Sequence, residues 1–519
     1  DSNEDGQVDT GLLYQGEILQ IVVEISAPLT AGIGESDFPV ITATSVLDNS
    51  KSQTANLQVA VPARFAQVFR DDANGAMSLL LSEPQTRQIV KTSGDGWWGY
   101  NPAVAETSQG HYLYLWQRWR YTAFSERLVS EIEWTFVSHT GQTLVPVTRL
   151  TDHTGASLEV YDEEPVLETA PDGSIGIAWY RRILREGVSG VQENWNVYFA
   201  VLDSTGTLKV GPVNITNNLD WYQSKPVTTD VPRFYDLRIT ANGANHYALV
   251  WRQEINVEPS AICTSDCVLD DIYITLRDSV GNPVSPITRL TNDSPIRSEG
   301  FKAANVEAIS QDRFFVVYNH TLGGMAFSVL DSWGNLLQQS YFGRSGWSPA
   351  ILQPHNSNRI FIAWTVWTAN NPQINLVVLE SDTFQGIAPA RVLTNPNASS
   401  GGDFPSLSSD SRGRAILTWM DYSANNRQHL YYALFDQDGD LLTSPMIFYT
   451  AENGNNDAQH VETGFSGYSN TTYRQFLDVS QSFWSSAMIE RLYDAGITNG
   501  CQLEPPRFCP EDPVRRSEM

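Results

Sequence analysis

Asp1-Ser2-Asn3-Glu4-Asp5-Gly6-Gln7-Val8-Asp9 sets oxygen-bearing side chains at alternate positions and a glycine at the sharpest point. A hard cation asks for such a wrap: Asp1, Asn3, Asp5 and Asp9 offer side-chain oxygens, and Gln7 its carbonyl oxygen. The spacing predicts a structural Ca2+ here, against the alternative of a solvated acidic turn. Leu12 stands where a complete calcium loop carries its bidentate glutamate, so a ligand from elsewhere is needed. Asp436-Gln437-Asp438-Gly439-Asp440 looks similar, but it occupies a hairpin turn that other copies fill without the extra acids, and it reads as a plain turn.

Aromatic and arginine residues cluster densely: Trp116, Arg118, Trp119 and Arg120; Tyr180, Arg181 and Arg182; Trp251 and Arg252. Platforms for sugars and arginines that hold carboxylates have this composition, as in sialidases. The same aromatics recur at one place in a repeated phrase, which points instead to packing between sheets. Trp97, Trp98, Trp221 and Tyr222 fall outside that phrase and are the better candidates for exposed glycan contacts. No nucleophile elbow, zinc-protease helix motif, phosphate loop or dinucleotide fingerprint is present. On that ground the chain is expected not to be an enzyme. A pair of carboxylates drawn from separate repeats stays open, because 59 acidic residues offer many such pairs.

The four cysteines form two local pairs, Cys263 with Cys267 and Cys501 with Cys509. Neither pair has a nearby histidine or further cysteines, which disfavours zinc and predicts two short-loop disulfides in an oxidising compartment. Net charge is −26 and lysine is scarce, so nucleic acid and anionic membrane surfaces are poor partners. No apolar run is long enough to insert directly into a membrane as a helix. Charged residues make up only 18% while there are 15 Trp, a composition of ordered, β-rich chains.

The elements that would position these residues repeat. An apolar strand ending in an aromatic recurs as YLYLWQRW, SIGIAWYR, HYALVWRQ, RFFVVYNH, RIFIAWTV and RAILTWMD. Each is followed by an alternating strand, a tight turn and a return strand, as in NVYFAVLDSTGTL, DIYITLRDSVGNP, GMAFSVLDSWGNL and HLYYALFDQDGDL. Asp-x-x-Gly between alternating strands is hairpin chemistry: Asp caps its own turn and Gly takes the positive φ. The aromatics Trp119, Trp179, Trp251, Tyr318, Trp364 and Trp419 follow one another at about 45 to 70 residues, an interval that suits four-stranded propeller blades. Asn101-Pro102, Glu164-Pro165, Ser348-Pro349 and Phe404-Pro405 precede these strands and fit a short innermost strand. An extra hairpin near residues 77–91 needs partners from the other chain end, which the segment from His460 to Tyr468 could supply. The prediction is a β-propeller over 63–470, of seven blades with six or eight open. The phrase is similar to the secreted bacterial repeat PxVAxxxDGxFVVxWxxxxxxxxxIYxxxFDxxGxP.

Residues 1–62 read as alternating strands, EILQIVVEIS, FPVITATSVLD and TANLQVAVP, and resemble the closing segment of immunoglobulin-like bacterial surface sandwiches. From Phe476 a helical period sets in, with Trp484, Met488, Ile489 and Leu492 on one face, Gly496 as the stop and Asp512-Pro513 opening a second helix. Phe476, Asp478 and Val479, then Trp484, IERLYDAGITNG and PEDPVRRSEM, resemble an S-layer homology module over 471–519. The family's Thr-Arg-Ala-Glu signature falls on Arg515, Arg516, Ser517 and Glu518, of which Arg516 and Glu518 match. The resemblance implies binding of cell-wall polysaccharide through Trp484, Arg516 and Glu518. The expected whole is all-β with a small α-helical module: partial β-sandwich, β-propeller, wall anchor. It is expected to be extracellular, on the bacterial cell surface, as a non-catalytic layer, filament or adhesin subunit. Both end domains look partial, so completion by further chain or by copies of itself in a homopolymer is expected. The alternatives are a wall-tethered glycan-active enzyme, sialidase- or glycosidase-like, and a propeller lectin.

Overall fold

The computed structural model describes most of residues 99–450, with side chains from 101 to 447, and outside that range the backbone of short strands only. The metal-loop residues Asp1 to Asp9, the wall-binding residues Trp484, Arg516 and Glu518, all four cysteines and both Trp97 and Trp98 lie outside the described residues. Near the N-terminus, Val40–Thr44 pairs with Ser52–Asn56 and Ser36–Asp37 with Val59–Ala60, each antiparallel. Near the C-terminus, Gln502–Leu503 pairs with Pro506–Arg507, within the loop expected between two helices.

The described structure is all-β and propeller-like, built from four-stranded antiparallel units in simple up-and-down order. One unit runs Pro232–Ala241, Tyr247–Asn256, Val268–Arg277 and Thr288–Arg289. The next three begin at Ala304, Trp347 and Gly402 and keep the same order. A nine-stranded sheet holds two further runs. They are Gly99–Glu106, Tyr112–Tyr121, Leu128–Val137, Thr143–Arg149 and Glu159–Thr169, Ile175–Gly187, Gly190–Leu202, Leu208–Asn214. A single parallel bridge, Ser130 to Tyr161, links them. The remaining sheet joins chain ends: Glu462–Phe465, inside the segment expected to close the ring, pairs antiparallel with Phe65–Asp71.

Among the described residues successive four-stranded units pack face to face, so both faces of their middle strands are apolar rather than one. Residues 175–180 are buried without a break, whereas the outer strand Thr143–Arg149 is almost wholly exposed. Consecutive four-stranded units share cores, for example Ile177 and Trp179 with Leu115 and Trp134, or Phe315 and Phe327 with Ile360 and Trp364. Trp116, Trp179, Trp251, Trp364 and Trp419 are the largest fully buried side chains, which supports the packing reading of the repeated aromatics. Trp179, Trp251 and Trp419 stack on Tyr198, Tyr273 and Tyr431 of the third strand, with ring centroids 5.9, 6.2 and 5.6 Å apart. One assignment in the series changes. Ala103 faces Leu115 as Val166 faces Ala178, so Trp116 and not Trp119 is the partner of Trp179 in register. Trp119 instead packs at a tilt against Tyr161, with ring centroids 5.0 Å apart.

The hairpin turns form as their chemistry requires. Asp203 Oδ1 accepts from the Thr205 and Thr207 amides, both at 2.9 Å, and Asp436 Oδ1 accepts from Asp438 and Asp440 at 3.0 and 2.8 Å. That makes Asp436–Asp440 a plain turn, and no group of three metal-ligating side chains occurs among the described residues. The turn glycines carry φ near +85°, from 83° at Gly281 to 89° at Gly206 and Gly439. They also seat the turn on the preceding sheet: a Cβ on Gly206 would lie 2.5 Å from Trp134. Gly206→Ala is therefore expected to destabilise the chain by about 1–3 kcal/mol, from left-handed strain and the clash together. Gly155→Ala, where nothing lies within 4 Å, is the control that should leave the denaturation midpoint in place. Equal midpoints for the two variants would contradict the seated turn.

Candidate functional site

Five of the innermost strands begin with the same irregularity. Register slips between Tyr100 and Ala103, Glu163 and Val166, Tyr235 and Arg238, Trp347 and Ala350, and Asp403 and Ser406. Inside each bulge one non-glycine residue takes a left-handed conformation: Asn101 (φ 47°), Glu164 (51°), Asp236 (55°), Ser348 (49°) and Phe404 (52°). All but Asp236 precede a proline, so the Pro motifs seen in the sequence mark these bulges. Such a backbone costs about 1–3 kcal/mol each and is concentrated where side chains are re-aimed for a task.

Three of these residues, Asp236, Ser348 and Phe404, line a cavity of about 250 Å3 between the innermost strands, together with Arg238, Glu168 and Glu307. The ring of bulges is chemically lopsided. Glu164 and Asp236 make one side acidic, while Ser348, Pro349, Phe404 and Pro405 make the other apolar or hydroxylic. Asp236 is ion-paired to Arg252 at 2.9 Å, and Arg252 also approaches Asp270 at 3.6 Å. Arg238 donates to the Leu237 carbonyl at 2.8 Å and lines the cavity.

Glu164 has the most distinctive environment. Enclosure by protein pushes its carboxyl up to about 7, the Asp236 charge adds to the rise, and the Arg238 and Arg252 charges oppose it. The Tyr180 hydroxyl lies beside this group, buried and without a hydrogen-bond partner among the described residues. Burial, followed by the charges of Glu164 and Asp236, holds the phenol far above its ordinary value. Farther along the cavity, burial raises the Glu307 carboxyl strongly, helped by the Glu168 charge and only partly offset by the Gln353 amide at 3.3 Å.

The expected aromatic–arginine clusters resolve into ion pairs. Arg181 grips Asp162 through two hydrogen bonds of 2.7 and 2.9 Å, and His153 reaches the same carboxylate at 2.7 Å. Burial would raise Asp162, but these partners outweigh it and hold the carboxyl below its usual range. Arg118 and Arg120 share Glu133 at 2.9 and 2.6 Å. Arg182 pairs with Glu163 at 2.9 Å and lies over Tyr161 and Trp195. Of the predicted glycan contacts, Trp221 is half-buried with Arg185 over its ring at 3.7 Å, and Tyr222 pairs by its backbone with Glu193. Sequence reasoning missed Glu164, Asp236 and Arg238. Their signal was the residue at or just after each bulge, an acid before proline in the case of Glu164.

No protein-family model matches the chain, and no curated protein does. Solved structures of similar shape include a Hadza microbial sialidase, with 12% identity, TM-score 0.37, and coverage of 66% of this chain and 70% of that one. Another is the Penicillium chrysogenum α-L-arabinanase complexed with arabinobiose, at 11% identity and TM-score 0.40, covering 66% and 94%. A third is the polysaccharide lyase Uly1, at 11% and 0.38, covering 66% and 85%. At these values the likenesses place no residue of this chain in a reaction.

The expectation that the chain is not an enzyme is corrected. The similar structures named are enzymes that act on glycans. The physical reason for the misreading is that side chains drawn from different strands leave no contiguous motif, so the lack of one in the sequence does not speak against catalysis.

Proposed function

We propose that the chain is a glycan-active enzyme whose site is the acidic side of the bulge ring, in a propeller of seven blades. The four-stranded units described above, with the sheet that joins the chain ends, support that blade count. The observation that carries the functional reading is one pair of carboxyl groups in unlike surroundings. Glu164, raised to about 7, keeps its proton up to about neutral pH, while Asp236, on the next innermost strand, is held by Arg252 of the strand beside it.

Cleavage of a glycosidic bond needs that division of labour. Glu164 would give its proton to the glycosidic oxygen as the bond from anomeric carbon to oxygen breaks. Asp236 would balance positive charge at the anomeric carbon, or take a proton from the attacking water. Arg238 and the Tyr180 hydroxyl supply donors close to both carboxyls. The long hairpin Ile175–Gly187 with Gly190–Leu202 extends past the bulge on the same sheet.

The segment resembling an S-layer homology module supports a wall-tethered enzyme outside the cell, and Asp1 to Asp9 support a Ca2+ in the preceding domain. The test is release of new reducing ends from bacterial wall polysaccharides and plant glycans by the full chain at neutral pH. Turnover of at least one glycan is expected. Tight glycan binding without turnover of any would move the reading to a lectin.

A further inference from the structure

On the apolar side of the bulge ring, the same strand positions carry a different pair of side chains. Glu163 and Arg182 close their position with an ion pair. The residues that replace them in register are Trp347 and Trp367, since Trp347 faces Thr365 as Glu163 faces Tyr180. Their rings meet at 5.2 Å, and Trp367 remains 55% exposed. Next to them is Asp403, nine-tenths buried. A single oxygen, Oδ1, accepts from the Trp347 indole at 3.1 Å, the Thr365 hydroxyl at 2.9 Å and the Phe404 amide at 2.8 Å. The other oxygen, Oδ2, takes no hydrogen bond from the described residues.

We infer that Trp367, Trp347 and Asp403 form a subsite for one uncharged sugar ring of the glycan. It rests on the glycan-active reading and adds where the chain is gripped away from the acids. An exposed indole offers a flat apolar face to the C–H face of a pyranose or furanose ring. A carboxylate oxygen with open lone pairs accepts from the ring's hydroxyl groups, the charge-assisted form of hydrogen bond. Three donors fix Asp403 through its other oxygen, so the acceptor is held in place before a ligand arrives. A sugar acid is the wrong ligand here, because its carboxylate would face Asp403 in a chain of net charge −26. Ser348 and Phe404, the neighbours of Trp347 and Asp403, line the cavity with Asp236 and Arg238. A sugar bound here therefore lies along the rim from the proposed acid.

The experiment is calorimetric titration of the full chain with neutral gluco-, xylo-, arabino- and N-acetylglucosamine oligomers, and with oligogalacturonate as the acidic comparator. At least one neutral oligomer is expected to bind, and Trp367→Ala to weaken it about tenfold or more. Trp367→Phe should recover most of the loss, and Asp403→Asn should weaken binding as well. Unchanged affinity in Trp367→Ala, binding of the acidic oligomer alone, or no binding of any probe overturns the subsite. Glu164→Gln separates the two claims, because it should lower cleavage by about 10²–10⁴-fold and keep the dependence of binding on Trp367. Neutral binding that depends on Trp367, with no cleavage by the unaltered chain, would leave the subsite standing and remove the catalytic reading.

Discussion

Glu164→Gln is expected to lower glycan cleavage by about 10²–10⁴-fold, the usual contribution of a positioned proton donor. Glutamine keeps the size and the left-handed bulge position of the residue but has no proton to give. The fold should survive the change, because the uncharged amide stands in for the protonated carboxyl that this enclosed position favours up to about pH 7. The linkage runs the same way. A carboxyl raised to about 7 binds its proton more tightly in the folded chain than in the unfolded one. Its contribution to stability is thus complete below the ordinary carboxyl range and is lost as pH rises through about 7. Removing the titration with Gln should flatten that loss, read as the pH dependence of the denaturation midpoint.

The second large effect belongs to Asp162→Ala, expected to cost about 3–5 kcal/mol. The substitution strands the Arg181 guanidinium, 16% exposed at its side chain, without the bidentate partner that compensates its burial. His153 loses its contact with the same carboxylate. Asp162→Asn, which keeps shape and some acceptor capacity, should cost less. The native carboxyl is held below its usual range, so its stabilisation is present above that range and is lost as acid titrates the folded state. Chemical denaturation of the variants at neutral and acidic pH measures both statements. A loss for Asp162→Ala within experimental error of zero would show that the pair is dispensable.

The blades were legible in the sequence because each carries its own complete set of local signals. Asp203, Asp278, Asp331 and Asp436 cap their turns by bonds to amides two and four residues on, which need no distant partner. The closure of the ring was legible for another reason. The strands at residues 65–91 lacked an innermost partner, and Glu462–Phe465 supplies it. Register was harder, since Tyr112–Tyr121 contains two tryptophans and only the pairing of Ala103 with Leu115 selects Trp116. The site was least legible of all. Glu164-Pro165 was visible as a motif, but the value of Glu164 depends on Asp236, Arg238 and Arg252 approaching it from the next sheet. Likewise the Trp347–Trp367 pair belongs to adjacent strands of one sheet, and Asp403 to the next, so their meeting depends on the ring.

The most direct measurement is the pH dependence of kcat/KM for glycan cleavage by the full chain and by Glu164→Gln. The account predicts a basic limb for the unaltered chain that falls with an apparent pKa near 7, the value to which Glu164 is raised, and its disappearance along with most of the rate in the variant. A rate that is independent of pH from about 5 to 9, or a limb that persists unchanged in Glu164→Gln, would contradict Glu164 as the proton donor.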